Sequence, residues 1–204
     1  MPPMIRRIRP FPAFLMLLLG TGMLSIFGPS EASLGTHVRL VYLHGAWVWT
    51  ALFGLGSAAV MGTLGLLLRR DSLQRWSIAF GQAGMMYWIG YLPLSLWTMQ
   101  ANWNGLYLAE PRFKVGLDYA VIGLLLQLAI LVLHDSRTGS ALNLAFAIAL
   151  AWSISSAEQV LHPSSPIFSS DSISIRIFFL LLLLASLLAG WMLTRWLHML
   201  QTRQ

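Results

Sequence analysis

Five histidines and no cysteine delimit the chemistry open to this 204-residue chain. The missing thiols exclude disulfides, thiolate metal sites, iron–sulfur clusters and haem attached covalently through Cys-x-x-Cys-His. His134 and His198 sit among basic residues at one end of long apolar stretches, where a histidine near a helix C-terminus is unremarkable. His37, His44 and His162 fall at the other end. Counting back from Leu68, about 20 residues of membrane core reach Trp49, and His44 then stands roughly 7 Å further out. His162 reaches a similar height from a distant part of the chain. Between the two lies the segment from Trp97 to Phe113, apolar and aromatic but broken by Asn104-Gly105 and Glu110-Pro111, which favour turns. A segment this greasy is expected to fold back over the membrane surface. Two imidazoles beside an aromatic shelf, with Arg39, Arg112 and Lys114 close in sequence, suit a flat apolar ligand bearing carboxylates. Non-covalent, b-type haem answers that description: imidazoles supply both axial ligands, and a cation pairs with a propionate. A structural reading stands beside it. Trp47, Trp49, Trp97, Trp191 and Trp196 suit membrane interfaces without any cofactor, and an interfacial histidine also serves as a hydrogen-bonding residue.

Other chemistries find little support. There is no P-loop, no H-E-x-x-H, no Gly-x-Ser-x-Gly and no pair of carboxylates at helical spacing, so no enzymatic site is expected. The serines between Pro163 and Ser170 read as a solvated outer loop. Polar residues inside apolar stretches invite a role. Asp118 and Arg176 are expected to pair across the bundle, Gln82 and Gln127 to hydrogen-bond between helices. Gly81, Gly84 and Gly90 predict close backbone contact, and Pro93 predicts a kink ahead of the aromatic loop.

These residues need a membrane scaffold to position them. The chain is 57% hydrophobic and 10% charged, with a mean hydropathy of +0.69, against about a quarter charged in ordinary soluble domains. Six stretches approach the roughly 20 residues that cross a bilayer: Phe11 to Gly28, Val38 to Leu68, Leu73 to Trp97, Val115 to His134, Ser140 to Ala157 and Ile173 to Met199. The fold class expected is all-α, a polytopic six-helix membrane bundle forming one domain over residues 1–204, since no linker divides it. The second stretch must tilt or project; the fifth, rich in Ala and Ser, suits a helix among others. With the N-terminus inside, nine of the 13 basic residues fall on the inner side and four on the outer. Both termini are then cytoplasmic. The first stretch, followed by Ser30-Glu31-Ala32, also resembles a cleavable signal peptide, but is read as a retained helix. The net charge of +6 is scattered between apolar runs, which argues for membrane topology and lipid contact and against nucleic acid.

The run Val38-Arg39-Leu40-Val41-Tyr42-Leu43-His44-Gly45-Ala46-Trp47 resembles the start of the second helix in the cytochrome c assembly proteins. The likeness is strongest to the six-helix haem-handling C subunit of the bacterial cytochrome c maturation system. That family has a second histidine between helices five and six, where this chain reads Val160-Leu161-His162-Pro163. It also has an outer loop of the form W-G-x-W-W-x-W-D-x-R. Here Trp103 matches the first tryptophan, Tyr107 replaces another, Glu110 takes the aspartate place and Arg112 the arginine. Leu106 and Ala109 stand where tryptophans are expected, and Asn104 replaces the glycine. The resemblance implies that His44 and His162 ligate haem from opposite sides while Trp103, Tyr107, Glu110 and Arg112 line or position it. It further implies no bond-making chemistry, only presentation of haem at the outer face to a chaperone or ligation partner. Two rival readings remain: an accessory subunit that kept the fold, lost the cofactor and packs in a larger membrane complex, and a small-solute transporter using Asp118, Arg176 and Gln127.

Overall fold

The computed structural model describes residues 9–159, 167, 168 and 170–202. Six helices account for most of them: α1 (Pro10–Ile26), α2 (Val38–Leu67), α3 (Asp71–Trp103), α4 (Pro111–Leu133), α5 (Ser136–Ser155) and α6 (Ile173–Gln201). Local chemistry sets several ends. α2 stops where Arg69 turns left-handed at φ 51° and the Arg70 N–H reaches back to the Gly65 carbonyl, a Schellman-type closure. α4 opens on Pro111 with Glu110 as its cap, and α5 opens under the Asp135 carboxylate, which accepts from the Arg137 and Thr138 N–H groups.

Four helices, α2, α4, α5 and α6, are long and apolar enough to cross a membrane. α1 is apolar but shorter, with 17 residues. α3 is the least apolar of the six, and its packing explains why: it contacts α2, α4, α5 and α6. Its neighbours are protein on most sides, so Gln74, Ser77 and Ser95 are buried against other helices. Its closest partner is α2. A Cβ added to Gly54 would lie 2.9 Å from the Gly84 Cα, so the two backbones touch, as small residues permit in helix pairs. Gly81 likewise faces Asn143, and Gly90 faces Trp47. One core cluster surrounds α3; a second joins the start of α2 to the start of α6 through Tyr42, Phe179 and Leu182.

Two expectations change. The helix expected to stop at Trp97 runs on through Pro93 to Trp103, so the connection to α4 shrinks to residues 104–110. Thr98 and Asn102 bond back one turn, to the Leu94 and Thr98 carbonyls, and the left-handed Asn104, φ 54°, ends the helix. The Asp118–Arg176 pair does not form. Both residues are exposed, and α4 makes no contact with α6, packing only on α3 and α5. The two glutamines behave as expected. Gln201 of α6 donates to Gln82 of α3 at 3.2 Å, and Gln127 of α4 donates to Asn143 of α5 at 2.9 Å.

Candidate functional site

His44 lies within the first two turns of α2, half-buried. Its ring meets Tyr91 of α3 edge-on, centroids 5.6 Å apart. Tyr91 is buried and is held from the far side by α4. A Cβ at Gly116 would collide with the Tyr91 hydroxyl, and the Trp88 indole donates to the Gly116 carbonyl at 3.0 Å. Gly116 is therefore the seat on which two α3 aromatics dock. The Glu110 carboxylate is within electrostatic reach of Tyr91, so His44, Tyr91 and Glu110 belong to one neighbourhood, where α2 begins, α3 ends and α4 begins.

Glu110 is 3% exposed and does two things. Its Oε2 accepts from the Phe113 N–H at 2.6 Å, fixing the first turn of α4, while its Oε1 is buried with no hydrogen-bond partner. The Arg112 Nε is also buried and unpartnered. Unpaired buried polar atoms are disfavoured by the full desolvation of the group, so each calls for an explanation. Trp103 and Tyr107 form a T-shaped pair, centroids 5.6 Å apart at 80°, with Tyr107 exposed beside Leu106 and Leu108. Lys114 is exposed, whereas Arg39 is engaged: its Nε donates to the Gly28 carbonyl at 2.9 Å.

His44 near the start of α2, Trp103 at the end of α3, Tyr107 in the following connection, and Glu110 and Arg112 at the start of α4 thus all fall toward one end of the bundle. His162 lies outside the described residues. Ile167, which is described, packs against Gly45, next to His44. Among the described residues no group of three or more His, Asp or Glu side chains is placed to hold a metal ion. Tyr91 and Gly116 are the members that sequence reasoning missed. A tyrosine on one helix and a glycine on another carry no shared spacing that would reveal their contact.

At the opposite end His198 stacks on Trp76, centroids 3.9 Å apart, and Trp191 stacks on the same indole at 5.4 Å. His134 is left-handed at the end of α4, its ring bonded to the Val132 carbonyl. His37 precedes α2 as its cap. Of the side chains named for a solute path, Asp118 and Arg176 face outward on helices that do not touch, and Gln127 is buried against Asn143. No protein-family model and no characterised protein matches this sequence.

Proposed function

We propose that the chain is a six-span haem-handling membrane protein of the cytochrome c assembly type, holding haem at the outer face of a bacterial-type inner membrane for a partner. The observation that carries this reading is a half-buried imidazole, His44, at the bundle end that also bears the Trp103–Tyr107 pair and the unpartnered Arg112 Nε. These residues fit the cargo. His44 would ligate one face of the iron and His162 the other, the aromatic pair would cover the macrocycle, and Arg112 would pair with a propionate. Glu110 acts through Arg112, because its cap fixes the turn of α4 on which Arg112 sits. No residue here makes or breaks a covalent bond; the protein binds, orients and shields.

Six spans, with both termini cytoplasmic, are favoured by the basic-residue asymmetry and by helix packing. α3, with 33 residues, is about 50 Å long at 1.5 Å per residue, ample for a core of roughly 30 Å. Gln74, Ser77 and Ser95 along it are buried, and its exposed polar residues, Asp71, Ser72 and Gln100, lie near its two ends. α1 packs along α6 and α2 while exposing Leu15, Met16, Leu19 and Met23, a surface suited to lipid or to another membrane subunit.

An absorption spectrum of the purified protein, as isolated and after haem loading under oxidising and reducing conditions, tests the reading. A Soret band that weakens in His44→Ala supports it. A preparation whose spectrum stays that of free haem in both redox states overturns it.

A second reading, a non-catalytic accessory subunit, draws on one specific observation. Tyr91 fills the space between His44 and Gly116, and one Glu110 oxygen is taken up by a helix cap. Stoichiometric membrane partners co-purifying without a Soret band would favour it over haem handling.

A further inference from the structure

Two aromatic residues one turn apart on α3, Trp88 and Tyr91, lean on a single glycine of α4. Their rings meet edge to face, centroids 4.9 Å apart at 72°. The Gly116 carbonyl accepts from the Trp88 indole N–H, and the side chain that Gly116 lacks leaves room for the Tyr91 hydroxyl. Any side chain at 116 would drive Tyr91 off this seat. A second glycine does similar work next to Tyr91: Gly90 makes room for Trp47, which stands one turn after His44 on α2. Tyr91 is therefore held on two flanks, by the α2–α3 crossing and by α4, with its ring set edge-on to the His44 imidazole.

Tyr91 is 5% exposed and too deeply covered to be a ligand itself. His44 is half-buried and within the first two turns of α2. A histidine side chain has several staggered rotamers, and a ligand serves only in the one that packing locks. The bulk of the Tyr91 ring occupies space that some of those rotamers would need, and an aromatic pair of this geometry is held beyond the burial of its area. The imidazole is thus set by a relay across three helices. Gly116 of α4 seats Tyr91 of α3, and Tyr91 backs His44 of α2.

We propose that Tyr91, seated by Gly116, is the positioning residue that presents the His44 imidazole for axial ligation of haem. The role rests on the haem-handling reading; the contact itself stands without haem and is tested without it.

Full-length protein in detergent, free of haem, is treated with diethylpyrocarbonate, and modification is followed histidine by histidine through peptide mass spectrometry. His198, stacked on Trp76 at the opposite end, reports general loosening. Gly116→Ala should raise the His44 rate about twofold to tenfold relative to His198, the weight of one aromatic pair. Adding Tyr91→Phe removes the hydroxyl that the new methyl strikes and keeps the ring, whose nearest carbon is 3.1 Å from the Cβ position, so the double variant should fall back toward wild type. Gly123→Ala, which strikes Met85 and Phe146 farther along α4, is the matched insertion and should leave His44 unmoved. After haem loading, Gly116→Ala should weaken the Soret band and the double variant should recover it. An unchanged His44 rate in Gly116→Ala, an equal rise in Gly123→Ala, or no recovery in the double variant overturns the proposal. Tyr91→Leu, which deletes the ring and asks nothing of α4, should raise the His44 rate without moving His198, and decides the matter if Gly116→Ala fails to fold. Unchanged rates beside an intact wild-type Soret band remove this proposal alone. A wild-type protein that leaves the spectrum of free haem unaltered removes the haem-handling reading and the role with it, while altered rates would still show the relay.

Discussion

Two of the regions in which this bundle buries polar side chains treat them differently. Among α2, α3, α4 and α5 they are tied from helix to helix. Ser136 donates to Gln74, Gln74 to the Gly65 carbonyl, Ser77 to the Ala58 carbonyl, Asn143 to the Ser77 carbonyl and Gln127 to Asn143. At the end formed by His44, Glu110 and Arg112, bonding is local or incomplete: Glu110 caps its own helix, and its second oxygen and the Arg112 Nε have no partner. The first region uses polarity to hold helices together. The second leaves one donor and one acceptor unpaired beside a histidine and an exposed aromatic pair; the Gln127 Oε1 and the Ser140 Oγ of the seam are also unpaired, but inside a tightly packed helix crossing. On this contrast, substitutions in the seam should act on stability, and substitutions at the end should act on binding.

The contact that both regions depend on is the α2–α3 crossing. Gly54→Leu would drive a side chain into the Gly84 backbone, which cannot yield as a side chain can. A destabilisation of about 3 kcal/mol is expected, at the upper end for overpacking. Loss of monodisperse protein on size exclusion would show it. A Gly54→Leu protein melting like wild type would mean that the crossing is not tight.

Next in size is the seam itself. Asn143→Leu removes both the Gln127 and the Ser77 bonds and leaves Gln127 buried without its acceptor. It should cost about 1–2 kcal/mol in thermal or denaturant unfolding. Adding Gln127→Leu to that background should cost less than Gln127→Leu alone, since the pair shares one interaction. Haem affinity should not move. Simple additivity would show that the seam is not a coupled network.

Arg112→Gln should do the reverse. Its Nε makes no hydrogen bond in the fold, so stability should stay within about 0.5 kcal/mol of wild type. Haem affinity should fall about tenfold, the effect of one charge-assisted hydrogen bond. A variant that unfolds more easily yet binds normally would erase the contrast between the two regions.

Helix order and several helix starts were legible in the sequence where neighbours did not matter. Val38 and Ile173 begin α2 and α6 as expected, and His44, Glu110 and Arg112 fall at one end. Legibility failed where the question was which helix touches which. Asp118 and Arg176 carry opposite charges near one height, yet lateral order is set by small residues such as Gly54, Gly84 and Gly116, whose partners lie far off in sequence. The end of α3 was misjudged for a local reason. Pro93 removes a single donor, and the residues after it resume bonding, helped by Thr98 and Asn102. Tyr91 was illegible because only its fit against Gly116 gives it a role.

The smallest expected effect compares the two ends through their connecting segments. Between α1 and α2 the Glu31 carboxyl is held below its usual range by the Ser33 hydroxyl and then by the Leu34 N–H. Between α4 and α5 the Thr138 hydroxyl and then its N–H do the same for Asp135. A carboxyl with a lowered value in the folded state stabilises above its unfolded value, about 3.9 for Asp and 4.3 for Glu, and loses that contribution as pH falls through the folded value. The melting temperature should therefore decline below about pH 4. Ser33→Ala and Thr138→Ala should each melt slightly lower at neutral pH and decline less steeply in acid. The Thr138→Ala change should be the larger, because Asp135 also caps α5, whereas Glu31 orders only a loop whose anchors, Arg39 to Gly28 and Tyr42 to Pro29, remain in place. Equal slopes in both variants and wild type would assign the acid decline to other carboxylates.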